Sequence, residues 1–395
     1  MDILYLSTLC STAEYERMFQ QHGTVLSHAG QKFGHLMLQG LVENECSVYA
    51  LSQRVVENGG KEDHFRPSET ENGIHYTYLP RYTSKRLNRL MTIVNGIREI
   101  LKWHRKKPDG VVICDIIAGE MSLALWLASF FCNIRTSALV MDVPTIRAGE
   151  TRKGLKSLPY KLKGALIGTY DSYIFLTEQM NSVLNPNGKP YTIAEGIVDR
   201  HVLVEENTLE DKYPEKVFIM AGLLEDIYGV SDLLRGFEKL ECPEARLRFY
   251  GKGGSVESII EAAGRDSRIC YCGELTNAEM VREEKKATLL INPRPPIGAW
   301  TAYSFPSKNM EYIASGTPML AYVLPCMPEE YLPYFFHIGN KLPDVAIHEK
   351  LTEISSMDKE KLHEYGISAQ KWIVKEKNST EQMSRILRML EALLR

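Results

Sequence analysis

The sequence predicts an α/β protein built from two doubly wound, Rossmann-like domains in tandem. Three observations lead there: length, rhythm and a break. At 395 residues the chain exceeds what one hydrophobic core organises comfortably. Short β-branched runs alternate with longer helical patterns, the mark of parallel βαβ units. That rhythm stops after Asp199, in the polar and acidic stretch HVLVEENTLEDKYPEK, and restarts with VFIMAG. The expected domains are therefore 1–200 and 201–379, with a terminal helix over 380–395 packing back on the first.

In the first domain, strands are predicted over 3–7, 46–51, 75–79, 110–114, 136–141, 172–176 and 191–194. Helices are predicted over 30–43, 87–105, 120–131 and 156–169. The segment between Ser7 and Gly30 is expected to be a long polar loop, of a size that usually serves function. In the second domain, strands are predicted over 217–222, 247–250, 269–272, 288–291 and 318–322. The helices between and after them are placed at 230–240, 256–263, 277–286, 307–314 and 358–365. The terminal helix is amphipathic, with Met383, Ile386, Leu387, Leu390 and Leu394 on one face.

An apolar fraction of 44% and a charged fraction of 25% are those of an ordinary soluble protein. No stretch reaches the ~18 apolar residues of a membrane span, and 121–132 reads as a buried helix. The opening MDILYLSTLC reads as a first strand, not a signal peptide. The eight cysteines lack the spacing of a zinc site or a disulfide framework, which fits reduced thiols in a cytoplasmic protein. Cys270 and Cys272, separated by one residue, are expected on opposite faces of a strand.

Charge is unevenly spread. Residues 1–200 carry 23 basic against 20 acidic side chains, or +3, and the remainder 24 against 30, or −6. Residues 81–107 hold nine basic side chains and one acid, Glu99. A second basic run comprises Arg147, Arg152, Lys153, Lys156, Lys161 and Lys163. Such runs are either solvated helix faces or patches that attract acidic substrates and anionic lipid. A peripheral contact with an anionic membrane, at its inner face, is expected; a nucleic-acid partner is not.

The chemistry concentrates in LLINPRPPIGAWTAYSFPSKNMEYIASGTPML. An apolar strand ends at Asn292, a Pro-rich loop runs through Tyr303 and Ser304, and Phe305-Pro306-Ser307-Lys308 leads into a helix. Ser307 is expected as its N-cap and Gly316 as its C-cap. A helix N-terminus, with unpaired amides and a positive dipole end, suits a phosphate. Lys308 occupies the first turn, a costly place for a cation unless an anion meets it. Glu311 falls on the same face one turn deeper. A cation at the mouth and a carboxylate behind it suit a diphosphate and a ribose; the alternative is that the two side chains pair on a surface helix. Gly222, directly after a strand, would let backbone approach a ligand, and Gly251 opens a GKGG after another strand. Asp142, Asp115 and Glu195 follow strands and are further candidates, with helix capping or hydrogen bonding as the alternative. Lys32 is a candidate contact; His28 and His35 read as surface residues.

This stretch resembles the donor-binding segment of family 4 retaining glycosyltransferases, whose two facing Rossmann-like domains form the GT-B fold with the active site in the interdomain cleft. More narrowly it resembles the bacterial exopolysaccharide and capsule branch, which carries YSFPSK followed by MEY-ASGTPV. ILYLSTLCS, SHAGQKF, DSYIFLTEQMN, EGIVD, the YGV at Tyr228–Val230 and KNSTEQ extend the likeness over nearly the whole chain. The resemblance implies that a sugar moves from a nucleotide diphosphate sugar to a glycan or lipid-linked acceptor in surface polysaccharide synthesis. It implies retention without a protein nucleophile. Without an Asp-x-Asp motif no obligatory metal, and no other cofactor, is expected. Glu311 matches the second of the family's two carboxylates, the one that holds the ribose; the first would fall at Tyr303, which is not acidic. The family's Arg and Lys after the first strand of the second domain are replaced by Leu223 and Tyr228. Lys308 and Arg294 are expected to supply that countercharge. Asp142 stands where relatives often place a histidine or acid facing the reacting sugar. Competing readings are a nucleotide-sugar epimerase of the same fold and an inactive sugar-nucleotide-binding or scaffold subunit. A dehydrogenase is disfavoured because no strand is followed by GxGxxG.

Overall fold

The computed structural model describes residues 1–22, 28–54, 64–144, 146–147, 150–151 and 164–394. They form two compact units, 1–197 together with 379–395, and 198–378. Most of the second basic run and the 156–163 part of the helix expected over 156–169 lie outside the described residues; 164–167 is helical.

The first unit comprises β1 (Asp2–Ser7), α1 (Thr12–His22), α2 (His28–Glu43), β2 (Ser47–Ser52), β3 (Glu69–Glu71), β4 (Ile74–Tyr78), α3 (Lys85–Lys106), β5 (Val111–Asp115), α4 (Gly119–Ala128), β6 (Arg135–Val140), a small ladder of β7 (Ile146–Arg147) and β8 (Glu150–Thr151), β9 (Ser172–Phe175), α5 (Glu178–Leu184) and β10 (Tyr191–Ile193). Its eight-stranded sheet has the order β10-β9-β6-β5-β1-β2-β4-β3. Every neighbouring pair in it is parallel except the β3–β4 hairpin. The central strands read as unbroken apolar runs because helices cover both faces; Val111 to Cys114 are fully buried.

Two departures from the sequence expectation have local causes. The supposed loop between Ser7 and Gly30 contains α1, whose short apolar face hides among charged residues. The β3–β4 hairpin turns through Asn72 and Gly73, both at positive φ (49° and 80°), the Asn-Gly signature of a two-residue turn. The terminal helix, Ser379–Leu394, belongs to this unit. Met383, Ile386, Leu387 and Leu390 join its core, and Gly40 of α2 admits it so closely that a Cβ there would lie 2.4 Å from the Ser379 carbonyl.

The second unit comprises β11 (Lys216–Leu223), α6 (Val230–Glu238), β12 (Ala245–Lys252), α7 (Val256–Arg265), β13 (Ile269–Tyr271), α8 (Asn277–Lys286), β14 (Leu289–Asn292), α9 (Ser307–Ser315), β15 (Met319–Ala321), β16 (Phe336–His337), α10 (Pro343–Ser355) and α11 (Lys359–Glu376). Its sheet is wholly parallel, in the order β13-β12-β11-β14-β15-β16. Counted within the unit this is 3-2-1-4-5-6, the doubly wound order. Its direction reverses between β11 and β14, so a crevice opens at the carboxyl ends of those two strands.

Helix α10 was not expected, and α11 runs to Glu376 instead of stopping near Tyr365. In α11 the buried stripe is Leu362, Gly366, Ala369 and Ile373. Two of these are small, which dilutes the apolar periodicity, and at Gly366 a Cβ would sit 2.2 Å from the Gly316 carbonyl. The stretch read as a linker is clasped to the C-terminal ends of α8 and α9 and the residues that follow them. Asn207 donates to the Ser315 carbonyl at 2.8 Å. The Lys212 ammonium donates to the carbonyls of Lys285 (2.7 Å) and Ala287 (2.9 Å) and to the Thr317 hydroxyl (2.9 Å). Lys212→Met strands these acceptors, so thermal or denaturant unfolding is expected to show a loss of about 1–3 kcal/mol. An unchanged midpoint would mean that the clasp contributes nothing.

Candidate functional site

The crevice of the second unit is assembled by α9. Tyr312, one turn into the helix and fully buried, donates its hydroxyl to the Ala221 carbonyl (3.3 Å) and accepts from the Ala221 amide (2.7 Å). Asn309 accepts from Asn292 at 2.5 Å. The first turn of the helix is thereby tied to the last residues of both β11 and β14, the strands that flank the reversal. Pro306, not Ser307, holds the N-cap position and offers no side-chain cap, so Ser307 is the exposed first helical residue. The Asn309 amide turns back to the Pro306 carbonyl at 2.9 Å. Gly316 closes the helix in the left-handed conformation, φ 79°.

Gly222 lies at the tip of β11, exposed, with φ 125°. A Cβ there would find one neighbour within contact range, the Lys308 Cε at 3.9 Å. The two expected residues therefore face each other across the crevice. Gly251 does something else: its Cβ position lies 1.9 Å from the Gly222 carbonyl, as that of Gly253 lies 2.2 Å from the Leu224 carbonyl. The GKGG glycines let the β12 turn lie flat against the β11 turn, and Gly251 supports Gly222 from behind.

Lys308 does meet carboxyl groups, and they are the protein's own. Its ammonium lies 2.7 Å from Glu311 Oε1 and 3.5 Å from Glu284 Oε1. Burial disfavours the ammonium, but the two carboxylates outweigh it and raise the Lys308 pKa. Glu284 is fully buried and is pushed up to about 8, first by burial and then by the neighbouring Glu311 charge. Its place in the last turn of α8, at the negative end of the helix dipole, acts in the same direction. Its Oε2 has no hydrogen-bond partner among the described residues and is the natural seat of the extra proton. Glu284 was missed in the sequence. The available signal was a carboxylate on the same buried helical stripe as Met280 and Val281.

A native pKa above the unfolded value means that Glu284 stabilises the fold fully below about pH 4.5, and that this contribution is lost as pH rises through about 8. Glu284→Gln is therefore expected to flatten the fall of unfolding temperature between pH 5 and 8. Identical slopes in the two proteins would contradict the assignment.

Arg294 is engaged within its own loop. Its guanidinium stacks on Trp300, 4.0 Å from the ring centroid, and donates to the Ser304 carbonyl at 3.0 Å, with only 5% of the residue exposed. It holds the 293–304 loop in shape. Phe305 packs on Tyr331 and, with Pro306, is buried; Tyr303 and Ser304 are half-buried on the same loop.

Asp142 is exposed just beyond β6. Asp115 ends β5, accepts from the Ile117 amide at 2.9 Å and serves the turn. Glu195 lies 3.4 Å from Gln382 of the terminal helix. His35 is half-buried, 3.4 Å from the Tyr76 hydroxyl, instead of on the surface. Among the described residues no group of three or more His, Cys, Asp or Glu is placed to hold a metal ion, and no helix is long and apolar enough to cross a membrane.

No family model and no curated protein sequence matches the chain; solved structures do. A sucrose-phosphate synthase from Thermosynechococcus elongatus superposes with a TM-score of 0.66 at 11% identity, over 100% of both chains. A glycosyltransferase from Rickettsia africae gives 0.64 at 12% identity, over 100% of this chain and 98% of that one. Anabaena HepE in complex with UDP gives 0.60 at 11% identity, over 99% and 100%. At such identities the likeness establishes the fold: two Rossmann-like domains of the GT-B type.

Proposed function

We propose that the protein is a glycosyltransferase that takes a sugar from a nucleoside diphosphate carrier. The observation that carries this reading is the pairing of Lys308 with open backbone at Gly222, at the strand reversal, with Glu311 one turn deeper. The diphosphate lies at the first turn of α9 against Lys308, and Glu311 leaves the lysine to accept from the ribose hydroxyls. Glu284 then remains beneath Lys308 as its companion, so the lysine is never isolated in a dry site. UDP is the first nucleotide to try, because HepE is described with UDP bound.

The finer reading is a family 4, metal-independent enzyme of surface polysaccharide synthesis that retains anomeric configuration. The departing diphosphate then takes the proton of the incoming hydroxyl, and the protein positions both and stabilises the leaving charge. The test is thermal unfolding with a panel of nucleoside diphosphates and nucleotide sugars, because a ligand that binds only the folded state raises its midpoint. A midpoint unmoved by every member would remove the proposal. Arg294 being locked in its loop, and a tyrosine at 303, favour a second reading, a subunit that binds the donor without transferring it. Labelled nucleotide sugars separate the two: transfer or slow hydrolysis marks the enzyme.

For the acceptor we propose a lipid-linked or membrane-proximal glycan, with the protein peripheral at an anionic surface. Along α3, Leu87, Leu90 and Val94 are 44, 57 and 48% exposed, three and four residues apart on one face. Lys85, Arg86 and Arg89 are exposed beside them. Apolar side chains rimmed by cations suit the headgroup boundary. The protein is expected to sediment with phosphatidylglycerol vesicles at low salt and to be released at high salt, and Leu87→Glu/Leu90→Glu to abolish the association. Failure to sediment at low ionic strength would dismiss the idea.

A further inference from the structure

Cys270 and Cys272 do not lie on opposite faces. Residues two apart in extended chain share a face, and here the Cys272 thiol donates to the Cys270 sulfur at 3.6 Å. Cys270 is exposed and Cys272 half-buried, at the carboxyl end of the edge strand β13. None of the other six cysteines forms a disulfide either, and this pair stands out by its proximity.

The surroundings of the pair tie it to the crevice. Gly251 donates its amide to the Gly273 carbonyl at 2.8 Å, and its carbonyl accepts from the Tyr271 hydroxyl at 2.8 Å. The Cys272 amide donates to the Phe249 carbonyl at 2.8 Å. Both polar backbone groups of Gly251 are thus held by residues within or next to the Cys-Tyr-Cys segment. Gly251 in turn lies against the Gly222 carbonyl with no room for even a methyl group.

We propose that Cys270 and Cys272 are a reversible oxidation site, closed to a disulfide by hydroperoxides, whose closure moves Gly251 and with it Gly222. The Cys270 thiolate attacks the peroxide: a sulfur–oxygen bond forms, the oxygen–oxygen bond breaks and hydroxide leaves as water, giving a sulfenic acid. The Cys272 sulfur displaces the second water as the sulfur–sulfur bond forms. Two thiols and one hydrogen peroxide become one disulfide and two waters. Peroxide reaches Cys270 because it is exposed. Burial, and then the adjacent Cys270 thiol, push Cys272 up to about 11, which suits a partner kept protonated until it resolves the sulfenic acid. A disulfide needs about 2.05 Å between sulfurs, so the pair must close by more than an ångström, and the shift falls on backbone bonded to Phe249 and Gly251. The effect on ligand, as distinct from the oxidation itself, rests on the reading of Gly222 as part of the donor site.

The native protein is treated with hydrogen peroxide and digested with trypsin, which places both cysteines, and no others, in the peptide 269–282. That peptide is expected to lose the mass of two hydrogens and to regain it with dithiothreitol. Cys270→Ser should block the change, and Cys272→Ser should leave a sulfenic acid at Cys270 that dimedone traps. A peptide that stays reduced, or is oxidised only to sulfinic acid in the wild type, overturns the site. Transmission is read by hydrogen exchange over 249–251, whose protection should fall on oxidation, and by UDP affinity, expected to weaken about fivefold or more. Unchanged exchange with a formed disulfide overturns the coupling. Exchange that changes while neither redox state binds any nucleotide overturns the donor reading and leaves the oxidation site standing.

Discussion

Replacing Lys308 with methionine is expected to lower turnover with the nucleotide sugar by about 10²–10³, the usual cost of deleting one preorganised donor to a developing anion. The loss should fall on kcat more than on KM, because negative charge on the diphosphate grows as the sugar bond breaks. Stability should change less. Glu284, raised by burial to about 8, already carries a proton at neutral pH and leaves no buried charge when its cation goes, while Glu311 is partly exposed and can turn to water. Lys308→Arg should recover only part of the rate, since a planar guanidinium is bulkier than an ammonium and holds an anion in a different geometry. Steady-state kinetics against circular dichroism melting decides it: a variant within tenfold of wild type would mean that the lysine is only a surface partner of Glu311. If the protein binds without transferring, the same substitution is read as loss of nucleoside diphosphate affinity.

Gly222→Val is expected to weaken nucleoside diphosphate binding by about 100-fold, or roughly 3 kcal/mol. Two effects add. At φ 125° a β-branched residue is strained by about 1–3 kcal/mol, and its side chain would stand beside the Lys308 stem, where the Cβ of any residue already reaches 3.9 Å from Cε. Gly251→Ala is the informative contrast. Its methyl group would overlap the Gly222 carbonyl at 1.9 Å, so it should lower the unfolding temperature first and binding only as a consequence. Calorimetric titration and thermal unfolding of the two variants should thus rank them in opposite orders. The same order in both measurements would place Gly222 in the fold and outside the site.

Much of the architecture was legible because it is written locally. The runs VFIMAG and LLIN, buried on both faces, announce parallel strands, and a leucine-rich amphipathic terminus announces a helix. Elements escaped where their signal was diluted. Helix α11 buries Gly366 and Ala369 where a pattern search looks for large apolar residues, and at Gly366 a neighbouring backbone, the Gly316 carbonyl, already fills the space of a side chain. The cysteine pair was misplaced through the alternation rule itself, since residues separated by one position lie on the same side of a strand.

For the candidate site, the helix start after Pro306, the cation at 308 and the carboxylate at 311 can be read along one turn of chain, because residues three apart on a helix are always neighbours. What surrounds them cannot. Glu284 reaches Lys308 from 24 positions away and Tyr312 reaches Ala221 across 91, while Arg294, close in sequence, is drawn onto Trp300. The sequence alone determined most of the secondary elements, the largely parallel character of the two sheets and the identity of the charged helix turn, all set by spacing within a few residues. Only the tertiary structure decided which charges meet, because burial and pairing depend on which distant segments the sheet order brings side by side.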